Sequence, residues 1–157
     1  MLRLASVNTS TTAGEVVSAM YDRLLVAVDH SETAGRVINA AREMAALSHG
    51  EVWVLHVREK QVTPRTGSAL IEAEAEAQSL AEDAARVLRG AGIKAHSVVR
   101  STIHGQAARE IVRAARAHDA GIIVMGSRGH RDLTGLVLGS AAHEVIRLSG
   151  RPVLVVR

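Results

Sequence analysis

The sequence predicts an α/β fold: a single domain on a doubly wound, open parallel sheet of five strands with helices on both faces. Three observations carry that reading. Short continuous apolar runs at residues 24–28, 52–57, 121–125 and 152–156 have the character of strands buried on both faces, as parallel strands are. These runs alternate with longer stretches of helical periodicity, the pattern of right-handed βαβ crossovers. Finally, the 157 residues are 47% apolar yet only 1% aromatic, with no Phe. The core then rests on Val, Ile, Leu and Ala, and alanine-rich helices allow close helix-on-sheet packing.

The elements follow in order. Residues 1–20 are rich in Ser and Thr, hold no apolar run long enough for a secretory signal, and are expected to form a flexible N-terminal extension; the domain is placed at 21–157. Leu24-Leu25-Val26-Ala27-Val28 is the first strand and ends at Asp29. Ser31 is the expected N-cap of a helix with Ala34, Val37, Ile38, Ala41, Ala45 and Leu47 on one face. His49-Gly50 ends that helix, with Gly50 suited to the left-handed cap. The second strand is Val52-Trp53-Val54-Leu55-His56-Val57, and residues 63–68, with Pro64 and Gly67, read as a loop. A long helix follows. It keeps Leu70, Ala73, Ala77, Leu80, Ala84, Val87 and Leu88 at inward spacing, with Glu72, Glu74, Glu76 and Glu82 mostly on the wet side, and stops at Gly90 and Gly92. Residues 94–100 alternate weakly and form a third strand at an edge. Residues 106–118 make a helix with Ile111 and Ala115 inward. The fourth strand ends at Gly126, residues 140–148 form the next helix, and Pro152-Val153-Leu154-Val155-Val156 is the last strand. An apolar edge strand of this kind invites pairing with a second copy, so a two-fold dimer through the C-terminal edge is expected.

The chemistry concentrates where the fourth strand ends. Gly126-Ser127-Arg128-Gly129 is followed by nine residues and then Gly139-Ser140. Strand, glycine loop and helix start together make an anion cradle, because glycines let backbone N–H groups approach a phosphate and the helix N-terminus adds unpaired donors. The pattern is neither a Walker A loop nor the G-x-G-x-x-G fingerprint, so no lysine is supplied to the phosphates. Read without a ligand, the glycines serve turns, Asp29 is a helix-entry acid and Ser140 an N-cap. If the first and fourth strands are neighbours, however, Asp29 and the glycine loop meet in one crevice, where open α/β sheets bind ligands.

Composition excludes several classes. Cysteine is absent, which removes disulfides, thiolate metal sites and a Cys nucleophile. The eight histidines show no paired ligand spacing, so no metal site is expected, and His56 reads as core-facing or partner-bonded. His130 and Arg131, inside the nine-residue spacer, suit either phosphate contact or a solvated loop. Formal charge is +3 and the pI about 10.2, but the arginines are dispersed and stacking aromatics are lacking, so nucleic-acid binding is not expected. No run approaches the ~20 apolar residues of a bilayer span, and a cytoplasmic location is expected. With no Walker-type acid and no G-x-S-x-G elbow, no catalytic residue is assigned and efficient catalysis is not expected.

Ala27-Val28-Asp29-His30-Ser31-Glu32-Thr33-Ala34, Leu55-His56-Val57, Gly105 with Ile111, the run from Ile123 to Gly129, and Arg151-Pro152-Val153-Leu154-Val155-Val156 together resemble the universal stress protein family, over roughly residues 21–157. The resemblance implies an adenine nucleotide alpha hydrolase-like (Rossmann-like) sheet of order 3-2-1-4-5, and a homodimeric, cytoplasmic regulatory protein of the stress response. The family's ATP-binding branch carries G-x2-G-x9-G-[S/T], which here falls on Gly126, Gly129, Gly139 and Ser140 with no departure in spacing. It further implies that Ala27 and Asp29 meet the nucleoside, Val57 the adenine, and Met125 the same pocket, while the backbone at Ser140 and Ala141 meets phosphates; Mg²⁺ could bridge those phosphates. His30 stands where a small or apolar residue is common in relatives. Two alternatives remain open: an interaction module with a vestigial nucleotide site, and a slow ATPase or autophosphorylating protein.

Overall fold

In the computed structural model, which describes residues 21–63, 67–70, 72–129 and 138–157, the strand β1 (Arg23–Ala27) runs through the middle of the sheet and decides the layering. Leu24 and Val26, with Val28 just beyond the strand, point to one face. They pack there with Val37, Ala41 and Ala45 of α1 (Ala34–Ser48) and with Ala84, Ala85 and Leu88 of α2 (Glu74–Gly90). Leu25 and Ala27 point to the opposite face, toward α3 (Ala107–Ala117) and α4 (Ser140–Leu148). This period-2 alternation gives two apolar layers from one strand. Alanine supplies much of the helix surface in both, which is how a domain without Phe fills its core.

β1 pairs in parallel with β2 (Glu51–Thr63) on one side and β5 (Ile122–Gly126) on the other; β4 (Ala95–Ile103) adds beyond β2, and β6 (Val153–Val156) beyond β5. Counting the parallel strands alone, the order is 3-2-1-4-5, as the family resemblance implies. The expected edge strand is β4, longer than predicted. Ile111 and Ala115 face inward as expected. A sixth strand, β3 (Gly67–Leu70), pairs antiparallel with the end of β2. Lys60 is partnered by Ile103 on one side and by Leu70 on the other, so β3 continues the edge that β1 leaves free and stands above the end of β1.

Several local expectations are corrected. The second strand does not stop at Val57: it continues to Thr63, and part of the expected loop is the β2–β3 hairpin. Residues Arg58-Glu59-Lys60-Gln61 lack an apolar run, and pairing with β4 as far as Lys60 and with β3 from Lys60 onward supplies what propensity does not. The long helix starts only at Glu74, so Leu70 belongs to β3 and Glu72 to the connection, while Val87 lies at 54% exposure rather than inward. Gly92, at φ 79°, does take the left-handed turn after α2.

At α1, Ser31 is not the N-cap. Thr33 occupies that position, and Ser31 instead donates its N–H to Asp29 Oδ1 at 3.0 Å and pairs its hydroxyl with Thr33 Oγ1 at 2.8 Å. Leu47 is 80% exposed; the buried position beside it is Ser48, whose hydroxyl turns back to donate to the Met44 carbonyl at 3.0 Å. The left-handed residue after α1 is His49, at φ 54°, not Gly50. Gly50 is small for another reason. A Cβ there would stand 2.6 Å from the Tyr21 carbonyl oxygen and 2.8 Å from both Leu24 Cδ1 and Ser48 Oγ.

The single tryptophan, Trp53, lies between the imidazoles of His96 and His118, with ring centroids 5.2 and 5.3 Å away and both planes tilted by 25°. Burial pushes the His118 imidazole below its ordinary 6.5, and the nearby charges of Arg100 and His96 push the same way. Among the described residues no helix is long and apolar enough to cross a membrane.

Candidate functional site

β1 and β5 run side by side, Ala27 level with Met125, at the point where the strand order reverses. Beyond their carboxyl ends opens a crevice of about 810 Å³, within the range of small-molecule sites. Eight of the nine residues expected from sequence line it: Ala27 and Asp29 after β1, Val57 from β2, Met125, Gly126 and Gly129 from β5 and its loop, Ser140 and Ala141 from α4.

Gly139, the ninth, is buried and does not line the crevice. It fastens the loop instead. Its N–H donates to the Ser127 carbonyl at 2.6 Å, its carbonyl accepts from His143 N–H at 3.0 Å, and Ser127 N–H donates to the Val156 carbonyl at 2.7 Å. The start of α4 is therefore held against the end of β5. Gly139 is also the N-cap of α4 and brings no side chain, so the helix's first N–H groups have no capping side chain. Ser140 opens the helix rather than capping it, and it is exposed.

Gly126 has a packing role that its place in a motif does not reveal. A Cβ on it would lie 2.8 Å from Thr33 Oγ1, so its bareness lets the Ser31–Thr33 hydroxyl pair close under β5. Asp29 is oriented by accepting the Ser31 amide, which fixes the turn from β1 into α1. His130 and Arg131 lie outside the described residues.

The crevice mouth holds a network that sequence reading did not assemble. His30 Nε2 and His56 Nε2 meet the two carboxylate oxygens of Glu72 at 2.8 and 2.7 Å, and His56 Nδ1 donates to the Val28 carbonyl at 2.9 Å. His56 is thus both buried and partner-bonded. Burial raises the Glu72 carboxyl, but the hydrogen bonds from His56 and His30 outweigh it and hold the group below 4.5. Arg58, itself buried, donates to the Glu72 carbonyl at 3.2 Å and lies 3.7 Å from Glu74. Farther along, Glu59 pairs with His104 Nδ1 and the Gly105 N–H, both at 2.9 Å. The histidines were visible in sequence near the ends of the first two strands. Glu72 was hidden because it reads as one more acid on a helix face.

Comparison with known proteins agrees with this architecture. The sequence profile of the universal stress protein family matches residues 20–157. Universal stress protein YxiE of Bacillus subtilis is 31% identical, covering 88% of this chain and all of the relative. Universal stress protein MJ0577 of Methanocaldococcus jannaschii is 30% identical, covering 90% of this chain and 98% of the relative, and the solved MJ0577 structure superposes with a TM-score of 0.70. A universal stress protein from Archaeoglobus fulgidus, solved in complex with dAMP, is 29% identical, with a TM-score of 0.63 over 88% of this chain and 99% of that one. A match of this extent, on a sheet of this order, settles the relationship: the chain belongs to the universal stress protein family.

Proposed function

We propose that the crevice binds an adenine nucleotide, ATP in the reading the glycine spacing favours, and that occupancy serves as a regulatory state of a homodimer in a stress response. The observation that carries the proposal is the convergence of β1, β2, β5 and α4 on one crevice, through residues that the sequence motifs single out for that role. The dAMP complex of the Archaeoglobus relative supports the class of ligand.

Each part has chemistry suited to one portion of the nucleotide. Asp29 is a hydrogen-bond acceptor for ribose hydroxyls, beside the Ala27 backbone. Val57 and Met125 offer apolar wall to the adenine. Gly126 and Gly129 put no side chain between loop backbone and ligand, and the first turn of α4 at Ser140 and Ala141, held by Gly139, directs N–H groups and a favourable dipole at phosphate. Mg²⁺ would bridge phosphates while keeping most of its waters. β6, at the sheet edge and partly exposed along its length, is the surface for the second copy.

Calorimetric titration of nucleotide-stripped protein with ATP and Mg²⁺ tests the site, with Gly129→Val as the variant because its side chain would enter the crevice. Saturable binding that disappears in a variant of unchanged thermal stability is expected. A wild-type protein that takes no nucleotide would return the glycine spacing to the role of a turn. Light scattering on a sizing column tests the dimer, and a monomer at micromolar concentration would remove it.

A further inference from the structure

We infer that the mouth of the crevice is a divalent transition-metal site whose ligands are His30, His56 and Glu72. The argument begins with His56. A carbonyl oxygen can only accept, so the contact with Val28 puts a proton on Nδ1. In the neutral ring, Nε2 then turns a lone pair on Glu72 Oε2, 2.7 Å away. Two acceptors cannot face each other at that distance: either a proton lies between them, or the two part slightly to share a metal ion. The other carboxylate oxygen meets His30 Nε2 at 2.8 Å, where the tautomer of His30 decides whether the ring presents a proton or a lone pair. The three candidate ligand atoms all lie within 4.8 Å of one another.

The donor set is that of a zinc-type ion. Two imidazoles and one carboxylate, with a position left open, suit Zn²⁺ and its neighbours far better than Mg²⁺, which prefers oxygen and water. Tetrahedral zinc spaces its donors roughly 3.3 Å apart. The His–Glu contacts must open by about half an ångström to reach that spacing. His30, with 36% of its side chain exposed, has room for that shift. The surroundings already match a metal's outer shell. The Nδ1–H of His56 is fixed by the Val28 carbonyl, the usual arrangement for a ligating histidine, and Arg58 holds the backbone at Glu72.

The three ligands come from the β1–α1 loop, β2 and the β3–α2 connection, 26 and 16 residues apart in sequence order, so no local spacing could announce them. A bound ion would tie these segments together at the rim of the crevice, with its open position available to water or to a donor from whatever the crevice holds. The site is independent of the nucleotide reading, since all of its ligands are protein side chains.

The test uses tag-free, nucleotide-free full-length protein. Zn²⁺ is titrated at about pH 7.5 against a chromogenic chelator, and Co²⁺ is added separately to read its visible d–d bands. Expected are one equivalent of tightly held zinc, a four- or five-coordinate cobalt spectrum, and a rise in thermal stability with the ion. Affinity should fall at least tenfold in His30→Ala and in Glu72→Gln, since losing a ligand costs no less than the roughly tenfold of losing an outer-shell partner, and hold in His143→Ala, an exposed histidine on α4. His30→Ala is the deciding variant because His30 is exposed and its loss spares the core. Absence of binding at high-micromolar zinc, or binding unchanged in His30→Ala, would overturn the inference and leave the cluster a hydrogen-bond network bridged by protons.

Discussion

Gly50→Ala is the substitution whose cost the structure fixes most directly. Gly50 is buried between the end of α1 and the start of β2, and its N–H donates to the Ala45 carbonyl at 3.0 Å. The added methyl would meet three atoms at 2.6–2.8 Å, distances that real Cβ contacts do not show. Two of them belong to side chains with nowhere to go: Leu24 is fully buried, and Ser48 is committed to Met44. The third is the backbone oxygen of Tyr21, one residue before Asp22, whose carbonyl accepts from Glu51 N–H at 2.8 Å where β1 and β2 begin to pair. Relief therefore requires that the strands part at their start or that Leu24 leave its rotamer.

Overpacking of this kind costs about 1–3 kcal/mol, and contact with backbone places Gly50→Ala near the top of that range. For a domain of this size, about 3 kcal/mol corresponds to roughly 6–12 °C in Tm. Gly35→Ala is the companion measurement. Gly35 lies in the first turn of α1, and a methyl added there would have nothing within 4 Å, so alanine should raise stability by up to about 1 kcal/mol. Both are read by urea denaturation with circular dichroism. If Gly50→Ala unfolds within about 0.5 kcal/mol of the wild type, the close approach is wrong. Gly50 would then be conformational, as its place in a helix–strand turn suggests at first sight.

Two further outcomes follow from the geometry. Because the His118 imidazole titrates below 6.5 in the folded protein, the unfolded chain binds more protons between that lowered value and 6.5. Stability is therefore complete above pH 6.5 and declines as pH falls through the folded value, and His118→Gln should flatten this slope in denaturation curves taken from pH 7 to 5. Gly126→Ala should displace Thr33 Oγ1 from 2.8 Å and press on the Arg128 carbonyl oxygen at 3.3 Å, costing about 1–2 kcal/mol, less than Gly50→Ala because the nearest atom belongs to a side chain that can yield. In calorimetry the same variant should weaken nucleotide binding about tenfold as the Ser31–Thr33 pair moves under the crevice; unchanged affinity would dissociate that pair from the site.

The parts legible in the sequence are those where one residue's environment is set by its near neighbours. The buried runs of β1 and β5 leave no amphipathic alternative, so their strand character was legible from the residues, while their neighbouring place in the sheet came from the family resemblance. Asp29 and Gly126 were expected in one crevice if the first and fourth strands were neighbours; the strands do pair, and both residues line the crevice. What remained hidden depends on partners far along the chain. The polar half of β2 is a strand because β4 pairs it up to Lys60 and β3 pairs it from Lys60 to its end. Ser48 rather than Leu47 takes the buried position at the end of α1, because a serine that bonds back to its own helix is no longer costly to bury. Glu72 gains its meaning only from two histidines on other elements.

If the crevice binds an adenine nucleotide as proposed, its electrostatics decide how it treats the number of phosphates. Asp29, Glu59, Glu72, Glu76 and Glu144 line it, and among the described residues Arg128 is the arginine that joins them. Three of these acids already have partners: Glu72 is hydrogen-bonded to two imidazoles, Glu59 to His104, and Glu144 lies 3.8 and 3.6 Å from Arg109 and Arg147. Little cationic charge is left over for a ligand. The N-terminus of α4 contributes about half a unit and Arg128 one, against a triphosphate carrying close to four negative charges. A monophosphate, with about two, comes nearer to balance. A divalent cation riding on the phosphates closes most of the gap for ATP and has less to do for AMP. Mg²⁺ should accordingly strengthen ATP binding by about tenfold or more over EDTA at matched ionic strength, and AMP binding by markedly less. Equal ATP affinity in EDTA would mean that the protein itself supplies the missing charge, and would point to His130 and Arg131 in the spacer, with Arg131→Ala as the variant to lose it.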